Sequence, residues 1–199
     1  MADLEKTGKN LEGRGFRVHR FASGAEAAEF LVQTLHSTSI GIGGSVTIDT
    51  LGVYDRLCGS NEVFWHWKNH APETRERAGK AETYLCSANG VSENGEIVNI
   101  DGFGNRVAGT IYGPERVFLV VGRNKIAPDL TGAIDRARNI AAPLNARRLN
   151  RHTPCAVGEP RCHDCRSPEK VCGVMTVFFM PPTSIKEFHV ILVDEDLGY

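Results

Sequence analysis

A chain of 199 residues, 41% hydrophobic and 24% charged, has the size and composition of one globular domain that builds its core without disulfides. Its formal net charge of -1 removes the electrostatic basis for nucleic acid or an anionic membrane surface as main partner. No run approaches the roughly 18 apolar residues of a membrane span, and MADLEKTGKNLEGRG has no apolar core of a secretion signal, so neither membrane insertion nor export is expected and the reducing cytoplasm is the expected compartment.

The polar residues 3–12 predict an exposed helix, and Phe16 to Phe21 alternates as a short strand. Ser23-Gly24-Ala25-Glu26 has capping-box spacing, with Ala27, Phe30, Leu31 and Leu35 as the helical stripe behind it. A second strand runs to Ile42 and ends in Gly43-Gly44-Ser45, and one helix is expected over 46–57, stopping near Gly59. Residues 62–67 read as a strand, 72–82 as a helix opened by Pro72, and 84–87 as the start of another strand. The stretch 89–113 is rich in Gly, Asn and Asp and predicts a hairpin or bulged loops around Glu96 to Ile100, turning at Asn94-Gly95.

Val117 to Val121 is the apolar run of a strand buried on both faces. A helix from Pro128 follows, with Leu130, Ile134, Ala137, Ile140 and Ala141 on one side and Pro143 as its kink or end. Residues 153–173 have no period, and two strands, 174–180 and 188–193, come after them. This alternation predicts an α/β fold with a mostly parallel sheet covered by helices. It is expected to form a single domain over 1–199, with 153–173 as a Cys-rich metal-binding segment within it.

That segment reads Cys155-x6-Cys162-x2-Cys165-x6-Cys172. Thiolates ligate both structural zinc and iron–sulfur clusters, four complete either site, and in a reducing compartment such a set is not a disulfide framework. Gly158, Pro160 and Pro168 make the spacers turn-like, so the outer cysteines can fold back on the central pair. Arg147, Arg148, Arg151, Arg161 and Arg166 are expected to compensate the negative centre, with His152 and His163 as reserve ligands. Cys58 and Cys86 stand alone and are expected to be buried packing residues. The spacing leaves zinc and iron–sulfur both open.

Ligands of doubly wound sheets bind beyond the carboxyl ends of the strands. Gly43, Gly44 and Ser45 there could cradle a phosphate or carboxylate with free N–H groups, with Ser87, Asn89, Asn124 and Lys125 as further ligand-binding candidates. His66, Asp101, Asn105 and Lys125 are the candidate catalytic residues. A small carboxylate or phosphate-bearing molecule is the expected ligand, and no GxGxxG fingerprint suggests a dinucleotide.

SANGVSENGEIVNIDGFGNRVAG, followed by GPERVFLVVGRNKI and preceded upstream by IGIGGSVT, resembles the LUD-domain (lactate utilization) family. TPCAVGEPRCHDCRSPEKVC and HVILVDEDLGY resemble its cysteine-bearing subgroup, and the resemblance spans roughly residues 20–199. It implies a three-layer α/β/α sandwich similar to the sugar-phosphate isomerase and CoA-transferase superfamily. It also implies a link to lactate oxidation beside iron–sulfur or other redox subunits, which tilts the metal centre toward [4Fe-4S]. No catalytic residue carries over. The leading expectation is an iron–sulfur protein acting in oxidation of a small hydroxy acid or the associated electron transfer, its carboxylate held by Gly43, Gly44, Ser45 and Lys125. One alternative is a non-redox CoA-transferase- or isomerase-like enzyme, since Ser92-Glu93-Asn94-Gly95 resembles the motif of a nucleophilic glutamate. Another is a zinc-stabilised assembly module, and a homo-oligomer is compatible with each.

Overall fold

The computed structural model describes residues 3–199. The chain runs α1 (Leu4–Gly13), β1 (Arg17–Phe21), α2 (Gly24–Thr34), β2 (Ser39–Ile42), α3 (Val46–Thr50), α4 (Tyr54–Cys58), β3 (Glu62–Trp65), α5 (Thr74–Gly79) and β4 (Thr83–Ser87). It continues through β5 (Gly90–Ser92), β6 (Ile97–Asp101), α6 (Asn105–Ile111), β7 (Arg116–Gly122), β8 (Ile126–Ala127), α7 (Leu130–Arg136), α8 (Ala142–Arg148), α9 (Pro154–Val157), β9 (Val174–Phe178) and β10 (Glu187–Val193).

A central six-stranded sheet, in the order β1-β10-β7-β4-β2-β3, is parallel at every pairing. Strand period two divides its side chains between two cores. Phe118 and Val120 of β7 pack with Ala27 and Leu31 of α2, Ile48 of α3 and Leu57 of α4. Val117, Leu119 and Val121 face the other way, toward Leu11 of α1 and Ile97 of β6. The sheet is therefore mostly buried on both faces and flanked by helices, as expected.

The sequence did not foretell a second sheet of four strands, β8-β5-β6-β9, lying on that second face. Its strands alternate in the same way, Ile97 toward the central sheet and Val98 and Ile100 toward Ala133, Ala137 and Ala142.

Several boundaries differ from the sequence expectation for local reasons. The helix expected over 46–57 is two, α3 and α4, because Gly52 takes a φ of +64° and ends the first. The helix expected over 72–82 is only α5, and Pro72 lies outside it. Residues 105–111, read as loop, are the helix α6: Asp101 Oδ2 accepts from the N–H groups of Arg106 (3.0 Å) and Val107 (3.4 Å), replacing a cap that Gly104 cannot supply. Pro143 does not end its helix, which runs on to Arg148. A π-helical stretch, Ala137–Ala141, precedes it, and the proline falls in the first turn of α8.

Gly41 sets the distance between β2 and α5. A Cβ built on it would lie 2.0 Å from the Ala78 carbonyl oxygen, a backbone atom that cannot swing aside. Gly41→Ala is expected to lose ~1–3 kcal/mol or more of stability, seen as a lower urea midpoint at unchanged slope. A variant within about 0.5 kcal/mol of the parent would show that α5 retreats freely.

Candidate functional site

The segments leaving β2, β3, β4, β6 and β7 converge on a cavity of about 810 Å³ at the carboxyl edge of the parallel sheet. Its floor is built around Lys125, which follows β7 in a single 3-10 turn and is 3% exposed. The Lys125 ammonium donates to Thr47 Oγ1 at 2.7 Å and to Ser87 Oγ at 2.8 Å. Both hydroxyls are fixed by their own donations, Thr47 to the Leu197 carbonyl (3.2 Å) and Ser87 to the Val120 carbonyl (2.6 Å).

No carboxylate of the described residues pairs with Lys125. Burial, reinforced by the positive charges of Arg136 and Arg106, lowers its pKa to about 7. Arg136, also buried, donates to the carbonyls of Asn124 (2.7 Å) and Asn89 (2.6 Å), which clamps the turn that carries Lys125.

Next to the floor stands His66, one residue past the end of β3. Burial and the neighbouring Arg75 lower its pKa to about 4, so the ring is neutral at pH 7. Among the described residues its buried Nδ1 has no hydrogen-bond partner, and the ring lines the cavity. Trp67 stacks on Trp65 (ring centroids 5.6 Å apart, 19° between planes) and carries the Arg148 guanidinium 4.5 Å above its ring. Arg148 Nε donates to the Tyr199 hydroxyl at 2.8 Å, closing that side.

Of the sequence candidates, Gly44, Ser45, His66, Ser87, Asn89, Asp101, Asn105 and Lys125 line this cavity. Several also hold local structure. Ser45 Oγ caps α3 by accepting from Ile48 N (3.3 Å), Asn89 Oδ1 accepts from Ile100 N (2.9 Å), and the Asp101 carboxylate caps α6. Gly43 and Asn124 do not line it. A Cβ on Gly43 would abut the Tyr84 hydroxyl at 3.0 Å, and Asn124 bonds Leu197 N and the Gly198 carbonyl, each at 3.2 Å, to fasten the chain beside the floor. Sequence reasoning missed Thr47, Arg75 and Tyr199 and assigned Arg148 to the thiolates. A threonine in the first turn of a helix after a Gly-Gly-Ser turn was a signal for Thr47, while nothing local marks the other two.

Glu93 lies elsewhere. Its carboxylate accepts from Asp3 N (3.2 Å) and pairs with Lys6 (3.0 Å), and its carbonyl accepts from Asn10 of α1 (2.7 Å), so the geometry holds it to α1 rather than to the cavity.

The cysteine segment is irregular apart from α9 and packs against the helix α7–α8. Cys162 is its best-held member: its N–H donates to Asn139 Oδ1 (2.9 Å), and its sulfur accepts from Asp164 N and from Arg138, each at 3.4 Å. Both anchors, Arg138 and Asn139, belong to the π-helical stretch. The Thr153 hydroxyl lies 3.3 Å from Cys155 Sγ. Burial raises the Cys172 thiol, with Lys170 pulling the other way and the charges of Cys162, Cys155 and Cys165 adding to the rise. Cys162 and Cys172 also border a smaller hollow of about 270 Å³, with Arg138, Lys170, Ile134 and Met175.

Among the described residues, no three His, Cys, Asp or Glu side chains are gathered as closely as one metal ion requires; tetrahedral zinc brings thiolates to roughly 3.8 Å of each other. The N–H and guanidinium donors at Cys162 are those that stabilise a thiolate. In donor type, four thiolates suit zinc and an iron–sulfur cluster alike.

The arginine at a sulfur is Arg138, not those expected; Arg147 instead holds the loop through the carbonyls of Ala156 (3.1 Å) and Gly158 (2.6 Å), and Arg161 pairs with Glu159. His152 contacts Glu169. Cys86 is buried as expected, but Cys58 is exposed, because it ends α4 on its solvent side. Between Cys165 and Cys172 the same segment supplies Pro168, Glu169, Lys170 and Val171 to the wall of the large cavity.

No helix among the described residues is long and apolar enough to cross a membrane. In comparisons with known proteins, the family model described as LUD domain matches residues 4–193. A solved structure described as a DUF162-family protein from Deinococcus radiodurans superposes with a TM-score of 0.56 over 96% of this chain and 95% of that one, at 14% identity, a likeness of fold alone. The comparison with curated proteins gave no match.

Proposed function

From the premise that the chain belongs to the LUD-domain family, which is associated with lactate utilization, we propose that it is an iron–sulfur protein that binds a small hydroxy acid and takes part in its oxidation or in the associated electron transfer. The observation that supports this best is the shared wall: residues 168–171 lie between two of the four cysteines and close the cavity that holds Lys125. Cys155, Cys162, Cys165 and Cys172 would hold the cluster, and a [4Fe-4S] cluster bound there would supply one-electron transfer.

The remaining roles belong to the chain itself. Lys125, protonated, seats the carboxylate, with Thr47 and Ser87 fixing its direction. Bringing an anion to a buried, unpaired ammonium relieves the burial cost that depresses its pKa, so binding takes up a proton near pH 7. His66, neutral and on the cavity wall, is placed to hydrogen-bond the substrate hydroxyl. The indole of Trp67 and the loop 168–171 form part of the wall around this seat.

Anaerobic purification followed by an absorption spectrum and iron, sulfide and zinc analysis tests the reading. A broad band near roughly 400 nm with iron and sulfide near four each per chain is expected. One zinc and no visible band would leave the segment a structural site and sink the electron-transfer role. Glu93, the residue of the glutamate-nucleophile alternative, pairs with Lys6 and does not line the large cavity.

A further inference from the structure

Arg75, Arg106, Lys125, Arg148, Arg151 and Lys170 all border the large cavity, and none of them pairs with a carboxylate of the described residues. Surface cations elsewhere do pair: Arg20 with Glu12, Arg56 with Glu29, Arg77 with Glu62. The acids on the cavity wall are already engaged. Asp49 pairs with Lys68, Asp101 caps α6, and Glu169 accepts from His152 N. Arg106 leaves Nε buried with no hydrogen-bond partner. With Lys68 the wall carries seven basic side chains against the carboxylates of Asp49, Asp101 and Glu169, a positive surplus that focuses anions. One carboxylate at Lys125 answers only the floor.

The outer half of the cavity has a different chemistry from the floor. Phe103, in the turn between β6 and α6, is 75% exposed at the lip, and the Arg75 guanidinium sits 4.9 Å from its ring centre. Arg148 lies over Trp67 on the facing side. Exposed aromatic surface interleaved with arginine stacks a planar ring while the guanidinium groups take phosphate oxygens. A volume of about 810 Å³ is that of sites for ligands of drug size, well beyond a three-carbon acid.

We propose that this outer half is a second subsite, which binds a phosphate ester carrying a planar ring, the nucleotide class of ligand. Its phosphate lies among Arg75, Arg106 and Arg148, and its ring rests on Phe103. The inference depends on the cavity being a ligand site, as read above, and on neither the metal centre nor the hydroxy acid.

Titration of the protein with ADP, inorganic phosphate and L-lactate, followed by Trp fluorescence and calorimetry, tests it. ADP is expected to bind about tenfold or more tighter than inorganic phosphate, the increment of one stacked ring. Phe103→Ala is expected to remove most of that increment and leave phosphate affinity unchanged, whereas Lys125→Met weakens lactate and spares ADP. Phe103 is exposed, so its variant folds; Arg75→Gln, which should weaken ADP and phosphate alike, gives an independent reading. ADP binding no tighter than phosphate, or binding that ignores Phe103→Ala, would overturn the subsite. Lactate binding without ADP binding would sink this inference alone; ADP binding by a protein with no cluster would keep it and sink the electron-transfer role.

Discussion

Lys125→Met is expected to weaken binding of a small carboxylate roughly 30- to 1,000-fold and, at the same time, to make the protein more stable at neutral pH by ~1–4 kcal/mol. Both effects have one cause. The ammonium is buried among hydroxyls with no carboxylate, and its pKa falls from 10.5 in its ordinary state to about 7 in the fold. Between those values the unfolded chain binds more protons than the folded one, so the parent gains stability as pH rises through that window. The penalty is therefore complete below about pH 7 and fades toward 10.5.

Methionine carries no such penalty and fills the same volume, and Thr47 and Ser87 keep the acceptors of their own protons. Urea unfolding across this pH range should show the variant's advantage shrinking as pH rises. Calorimetry with L-lactate should show parental affinity falling as pH rises above about 7, since the seat loses its charge. A variant that binds lactate as well as the parent would remove Lys125 from the site.

Replacing Cys162 and Cys165 together by serine is expected to abolish the visible chromophore and bound iron, and to weaken ligand binding in the large cavity about tenfold. The segment has little besides the proposed metal centre to order it. Its anchors to the body are Asn139 and Arg138 at Cys162 and Arg147 at two carbonyls. Where few apolar groups are buried, metal binding is folding energy. The loop's slackening reaches the cavity through residues 168–171, while the parallel sheet, with its own cores, should unfold at nearly the parental urea concentration. Equal metal content in variant and parent would dismiss these cysteines as ligands. Unchanged affinity with the metal gone would uncouple loop and cavity.

Much of the parallel sheet was legible because burial on both faces writes itself as runs such as Val117 to Val121, and because Ser23 and Gly43-Gly44-Ser45 punctuate strand-to-helix turns. Knowing where those strands end was enough to bring His66, Ser87, Asn89 and Lys125 to one edge. The second sheet was less visible, since β5 and β8 have three and two residues and carry almost no period. Helix α6 was hidden because its cap is Asp101, four residues before its first residue, and not a residue at the usual position. Arg138 and Arg75 act through partners distant in sequence, at Cys162 and Phe103, and no spacing rule connects such pairs.

The strand order has a consequence for how the molecule is made. β10, last of the strands in sequence, lies between β1 and β7, pairing in register with both along its length. A nascent chain still lacking β10 holds β1 without its neighbour and leaves one flank of β7 open, with the apolar faces of Val117 to Val121 half covered. Such open edges recruit strands from other chains. Closure of the sheet is thus a late, long-range event in synthesis, completed only once residues 187–193 have been made.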